Sequence, residues 1–170
     1  TDALLTQKRR FAQEVIEGEE AVNELEIEID SQGHQLCALG QPMAADLRLV
    51  TAILKINTDL ERMGDHAVNI AERVLVLLEE KLFQVEYDLG VMVRATLGML
   101  TDSLNSFVRE DAALARSILI RDDEVDLCND QLYAYVVRAM EEKRLSVRTG
   151  LHLAMIGHNL ERIADLANNI

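Results

Sequence analysis

A twelve-residue phrase occurs twice in this chain, and the duplication limits the folds that the chain can adopt. The phrase reads DLERMGDHAVNI at residues 59–70 and NLERIADLANNI at residues 159–170. Seven of its twelve positions are identical. A second related pair, GEEAVN at residues 18–23 and RDDEVD at residues 121–126, follows the same order along the chain. The chain therefore contains two copies of one structural unit, which we expect to fold alike.

Apolar residues recur every three or four positions in both copies, which is the period of an amphipathic α-helix. This spacing predicts helices over residues 11–40, 42–81, 88–109 and 111–143, and a last helix from residue 147. Pro42 suits the first turn of the second helix. The hydroxyl of Ser146 suits the N-cap of the last one.

The composition agrees with an all-α fold, because aromatic residues make up only 4% of the chain and proline occurs once. We predict two tandem three-helix bundles, with residues 1–84 as repeat 1 and residues 85–170 as repeat 2. The counterpart of the helix at residues 88–109 falls largely before residue 1. Repeat 1 is therefore expected to lack most of its first helix and repeat 2 to be cut short at its end. We expect the natural protein to continue at both ends.

The net charge of −13 argues against several classes of ligand. Such an acidic surface repels phosphate backbones and anionic lipid, so we expect neither nucleic-acid binding nor direct binding of phosphate. No apolar run is long enough to cross a bilayer, and no secretory signal begins the chain. We therefore expect no membrane insertion and a cytoplasmic location. The charge suits cations or a basic protein surface.

The repeated phrases place acidic side chains four residues apart, which puts both members of a pair on one face of a helix. Carboxylate oxygens are ligands of hard cations and of iron and manganese. Clustered carboxylates also repel one another unless a cation or a proton lies between them. The candidate metal ligands are Glu61 with Asp65, Asp122 with Asp126, Glu161 with Asp165, and Glu19 with Asn23.

A simpler interpretation of the acidic pairs stays open. Like charges four residues apart cost an exposed helix only about 0.2–0.5 kcal/mol, so these side chains can be ordinary solvated surface. Asn23 carries no charge, which weakens the set in repeat 1. The histidines are not spaced as a shared metal site, and Arg48 and Arg148 are interpreted as structural residues.

The order of these phrases resembles the PhoU family of phosphate-signalling regulators. The resemblance is carried by GEEAVNELEIEID, QPMAADLRLV and DLERMGDHAVNIAERV in repeat 1 and by RDDEVDLCND and NLERIADLANNI in repeat 2. It implies two tandem three-helix bundles and a non-enzymatic, cytoplasmic negative regulator of phosphate uptake. It implies an adaptor that joins the ATPase subunit of the phosphate transporter to a sensor histidine kinase and represses the starvation response when phosphate is plentiful. It also implies iron or zinc at the paired acidic motifs. We expect a homodimer.

Two other functions stay open. The first is a ferritin-like di-metal oxidase, whose bundles use Glu-x-x-His motifs. None of the four histidines has a glutamate three residues before it, which argues against this function. The second is a plain helical oligomerisation module whose acidic residues only keep the chain soluble. Solubility alone does not require the duplicated flanks of the acidic pairs.

Overall fold

The structure, a computed structural model, describes residues 8–80 and 86–170, and all regular structure in these residues is α-helical. The helices are α1 (Arg9–Glu17), α2 (Glu19–Gly40), α3 (Ala45–Leu77), α4 (Leu89–Arg109), α5 (Ala112–Glu141) and α6 (Val147–Asn168). The predicted all-α fold is confirmed. The predicted boundary between the repeats, after residue 84, lies outside the described residues.

Helices α4, α5 and α6 form the three-helix bundle of repeat 2, each packing on the other two. Its core contains Met92, Met99, Val125, Leu132 and Leu153, all of which are completely or almost completely buried. Each of these helices has an N-cap residue whose side-chain carboxylate or hydroxyl accepts a hydrogen bond from a backbone amide of the first turn. The predicted cap is confirmed, because the Ser146 hydroxyl accepts a hydrogen bond from the Thr149 amide.

Repeat 1 differs from the prediction at two helix ends. The first predicted helix is interrupted at Gly18, which separates α1 from α2. Pro42 is not the start of the next helix. Gln41 and Ala44 adopt positive φ angles of 45° and 48°, which a right-handed helix does not allow, so α3 begins only at Ala45.

The apolar face of α2 is more open than its periodicity suggests. Ile29 and Leu36 are 38% and 56% exposed. Leu132 and Ala139, which occupy matching positions in α5, are completely buried. In repeat 2 this face packs on both α4 and α6, whereas in the described part of repeat 1 α2 packs mainly on α3.

Helices α3 and α6 hold the two repeats together along an antiparallel contact. His66 of α3 lies beside Asn159 of α6, and Glu80, just after α3, lies beside Arg148 near the start of α6. Later residues of α3 therefore meet earlier residues of α6. The two helices are the duplicated third helices of the two repeats. An approximate two-fold axis therefore relates the repeats across this contact. None of the described helices is long and apolar enough to cross a membrane.

Candidate functional site: two acidic clusters

In repeat 2 the acidic residues of α5 and α6 approach one another across the contact between these helices. Burial raises the pKa of Asp122, and the nearby charges of Asp126 and Asp165 raise it further. The pKa of Asp126 is raised by burial and then by Asp165. The predicted pairs Asp122–Asp126 and Glu161–Asp165 thus lie on facing surfaces of two neighbouring helices.

Asn168 of α6 lies at the edge of this cluster, next to Asp122. Its side-chain nitrogen donates a 2.8 Å hydrogen bond to Oδ2 of Asp122. The other oxygen of Asp122 and the side-chain oxygen of Asn168 are buried without a hydrogen-bond partner. The cluster thus combines two oxygens that lack a hydrogen-bond partner with aspartates whose pKa values are raised. A hydrogen-bond donor or a cation would be favourable at this position. Asn168 lies three residues after Asp165, a spacing that shares a helix face, but its counterpart in repeat 1 is Val68.

Glu161 and Asp165 also have partners of their own. Asn129 of α5 donates a 2.7 Å hydrogen bond to Oε2 of Glu161, and Nδ1 of His158 lies 3.5 Å from the same oxygen. Arg162 forms an ion pair with Asp165. Sequence reasoning missed Asn129, although it stands three residues after Asp126 and so faces α6 with it.

The acidic residues of repeat 1 gather around Glu61. Burial raises the pKa of Glu61, followed by the charges of Asp65 and Glu26, while Arg62 opposes them and Glu19 adds a smaller effect. Asp65 and Glu19 therefore lie near enough to Glu61 to affect it, Asp65 from the next turn of the same helix and Glu19 from α2. Glu26 is an addition that the duplicated phrases do not indicate. Asn23 lies half-buried one turn after Glu19.

The residues match a metal site in chemistry but not in arrangement. Their oxygen donors suit a hard cation or iron. Within residues 8–80 and 86–170, however, no three His, Cys, Asp or Glu side chains are close enough together to hold one metal ion. The predicted iron or zinc stays a prediction, and no function proposed below depends on it. Both clusters present concentrated negative charge, which can bind cations or a basic partner.

Comparison with known proteins agrees with the two-repeat organisation. The PhoU domain model matches residues 1–74 and again residues 89–170. The chain is 38% identical to the phosphate-specific transport system accessory protein PhoU homolog of Aquifex aeolicus over 162 residues, which cover 95% of this chain and 73% of that protein. It is 35% identical to PhoU homolog 1 of Thermotoga maritima over 170 residues, covering 99% of this chain and 73% of that one.

Solved structures show the same fold. The crystal structure of PhoU from Pseudomonas aeruginosa superposes with a TM-score of 0.93 at 32% identity and covers 99% of this chain and 81% of its own. The phosphate transport system regulatory protein PhoU from Streptococcus pneumoniae gives a TM-score of 0.90, also at 32% identity, and covers 98% and 78%. The duplicated acidic phrases, the helical fold and these matches agree, and the chain belongs to the PhoU family.

Proposed function

We propose that this chain is a non-enzymatic accessory protein of a phosphate-specific transport system. Its relatives carry that description, and the family model matches both repeats. We further propose that it acts in the cytoplasm, as a homodimer, as an adaptor between the transporter's ATPase subunit and a sensor histidine kinase. In this role it represses the phosphate-starvation response when phosphate is plentiful.

The charge distribution supports a binding role. On the acidic face of repeat 2, Asp126 is exposed and the side chain of Asp165 is 35% exposed, so a partner can reach their charges. The net charge of −13 favours partners with basic patches and accelerates their association. Two acidic clusters on the two repeats give such an adaptor a separate face for each of two partners.

The outer face of α5 supplies apolar contact area beside the acidic residues. Leu119 and Leu127 are 56% and 57% exposed, two helical turns apart, and Asp123 lies exposed between them. Exposed leucines next to acidic groups match the composition of protein interfaces, which combine an apolar centre with a polar rim. This face is therefore our candidate for one of the two partner contacts.

Co-purification from cells of the source organism tests the proposal. We expect the tagged natural protein to recover both the ATPase subunit and the kinase from phosphate-replete cells. Changing Leu119 and Leu127 to Asp should remove one partner, whereas Leu49→Asp, at an exposed position of α3, should keep both. Recovery of neither partner from phosphate-replete cells would rule out the adaptor role. Deletion of the gene without activation of the starvation response would rule out the repressor role.

A further inference from the structure

Arg73 of α3 and His152 of α6 face each other across the contact between the repeats. The helices run antiparallel, and the hydrogen bond between His66 and Asn159 sets their register. Arg73 lies about two turns after His66, and His152 lies about two turns before Asn159. The two side chains therefore reach the same level of the interface. Arg148, one turn before His152, shares this face and lies 3.5 Å from Glu80.

Two nitrogen atoms at this level are buried and have no partner. Nε of Arg73 and Nδ1 of His152 are both shielded from solvent, and neither forms a hydrogen bond within the described part of the chain. A buried polar group without a partner costs about 1–3 kcal/mol, and most such groups in proteins are satisfied. An acceptor that fits between the two nitrogens would remove this cost.

The local charge is positive, in contrast to the chain as a whole. The pKa of His152 is lowered by burial and then by the nearby charges of Arg73 and Arg148, and only Glu80 opposes them. An open cavity of about 700 Å³ adjoins Glu80 and the start of α6, and its lining includes Lys143 and Arg144 as well as Glu79. The mostly exposed Arg148 contacts Glu80, which lines this cavity, so a small ligand can reach Arg148 from the cavity.

We propose that Arg73, Arg148 and His152 form a binding site for a small tetrahedral oxyanion, with inorganic phosphate as the probe. An anionic oxygen accepts hydrogen bonds from Nε of Arg73 and from Nδ1 of protonated His152, while the exposed guanidinium of Arg148 contributes charge from the solvent side. Guanidinium groups match the geometry of phosphate oxygens. The overall negative charge suggested that the chain binds no phosphate, but net charge does not reveal where a fold gathers its arginines. This site is independent of the proposed adaptor role and would bind the anion without either protein partner.

Histidine NMR tests the site directly. Inorganic phosphate is titrated into the protein at constant ionic strength, and the resonances of His152, assigned with His152→Gln, are followed against pH. We expect a saturable shift of His152 alone among the four histidines and a rise of its titration midpoint, because a bound anion stabilises the imidazolium. Sulfate should compete with phosphate, whereas chloride at equal ionic strength should not.

Two variants and a control separate binding from folding. Arg73→Gln should weaken phosphate binding about tenfold or more, as loss of a hydrogen bond to a charged group predicts. Arg148→Gln, at a mostly exposed position, should weaken binding while leaving the fold intact. Arg116→Gln removes the same charge from exposed surface of α5 and should leave binding unchanged. The site is overturned if His152 does not respond to phosphate, if chloride acts equally, or if Arg73→Gln and Arg148→Gln both bind like the wild type. In the first of these outcomes, a water molecule bridging the two nitrogens would be the better account.

Discussion

His66 and Asn159 share a hydrogen bond that joins the two repeats, with Nδ1 of the imidazole 2.8 Å from the side-chain oxygen of Asn159. An amide oxygen can only accept, so Nδ1 of His66 carries the hydrogen. The amide nitrogen of Asn159 donates in turn to the carbonyl oxygen of Met155 at 2.7 Å. Asn159 is buried, so this small network replaces its contacts with water.

Removing the Asn159 side chain should weaken the contact between the repeats. Asn159→Ala leaves the donor of His66 without its partner at a partly buried place, which we expect to cost about 1–3 kcal/mol in the free energy of unfolding. Urea denaturation at pH 7.5 measures the change. Gln131→Ala, at an exposed position of α5, should stay within about 0.5 kcal/mol of the wild type. An unchanged urea midpoint for Asn159→Ala would show that this hydrogen bond adds no stability.

Two glycines in the third helices should respond to alanine in opposite directions. A Cβ at Gly157 would lie 2.6 Å from a methyl group of the fully buried Leu132 and 2.7 Å from the side-chain oxygen of Asn129, so these two side chains must move. We expect Gly157→Ala to destabilise the protein by about 1–3 kcal/mol. At Gly64 the nearest atom is 3.4 Å away, an ordinary contact, and the matching residue of repeat 2 is Ala164.

Gly64→Ala should therefore be neutral or stabilise the protein by up to about 1 kcal/mol through its helix propensity. Thermal unfolding followed by circular dichroism distinguishes the two variants. Equal melting temperatures for both would contradict the packing described for α5 and α6.

Repulsion within the acidic cluster of repeat 2 should make stability depend on pH. The pKa values of Asp122 and Asp126 are raised in the folded state, so the folded chain holds these protons more tightly than the unfolded chain does. Stability is therefore lost as the pH rises from the ordinary aspartate pKa through the raised values.

Asp126→Asn should remove part of this loss. We expect it to stabilise the protein at pH 7 by about 0.2–0.5 kcal/mol and to have no such benefit at acid pH, where the aspartate is already protonated. Urea denaturation across this pH range measures the difference. Glu72→Gln, at an exposed position of α3, should show no comparable pH-dependent gain. A destabilising Asp126→Asn at pH 7 would argue against mutual repulsion in the cluster.

The metal prediction can be tested by elemental analysis of protein purified without chelator or affinity metal. We expect the wild-type protein to contain stoichiometric iron or zinc and the double variant Glu161→Gln with Asp165→Asn to lose this metal. The reason is that a cation would relieve the repulsion between the carboxylates. Glu24→Gln with Glu28→Gln removes an acidic pair of the same spacing from exposed positions of α2 and should retain the metal. Metal-free wild-type protein would leave the acidic residues as a docking or solubility surface.

Much of the local structure was predictable because it depends on residues within one or two helical turns. The three- and four-residue apolar spacing predicts the helices, and the hydroxyl of Ser146 predicts where α6 begins. The same short-range geometry placed Glu61 beside Asp65 and Asp122 beside Asp126. Pro42 was misleading, because its suitability for a first turn does not reveal the left-handed backbone at Gln41 and Ala44.

The sequence by itself determined the helical fold class, the duplication and the acidic helix faces. Only the tertiary structure decided which faces are covered and which side chains meet. The side chain of Leu25 is exposed and that of Leu132 is buried, although each belongs to the apolar stripe of its own helix. Asn129 reaches Glu161, His66 reaches Asn159, and Arg73 comes level with His152. Such pairs depend on the register between packed helices. That register is set by many side chains acting together, and no local pattern records it.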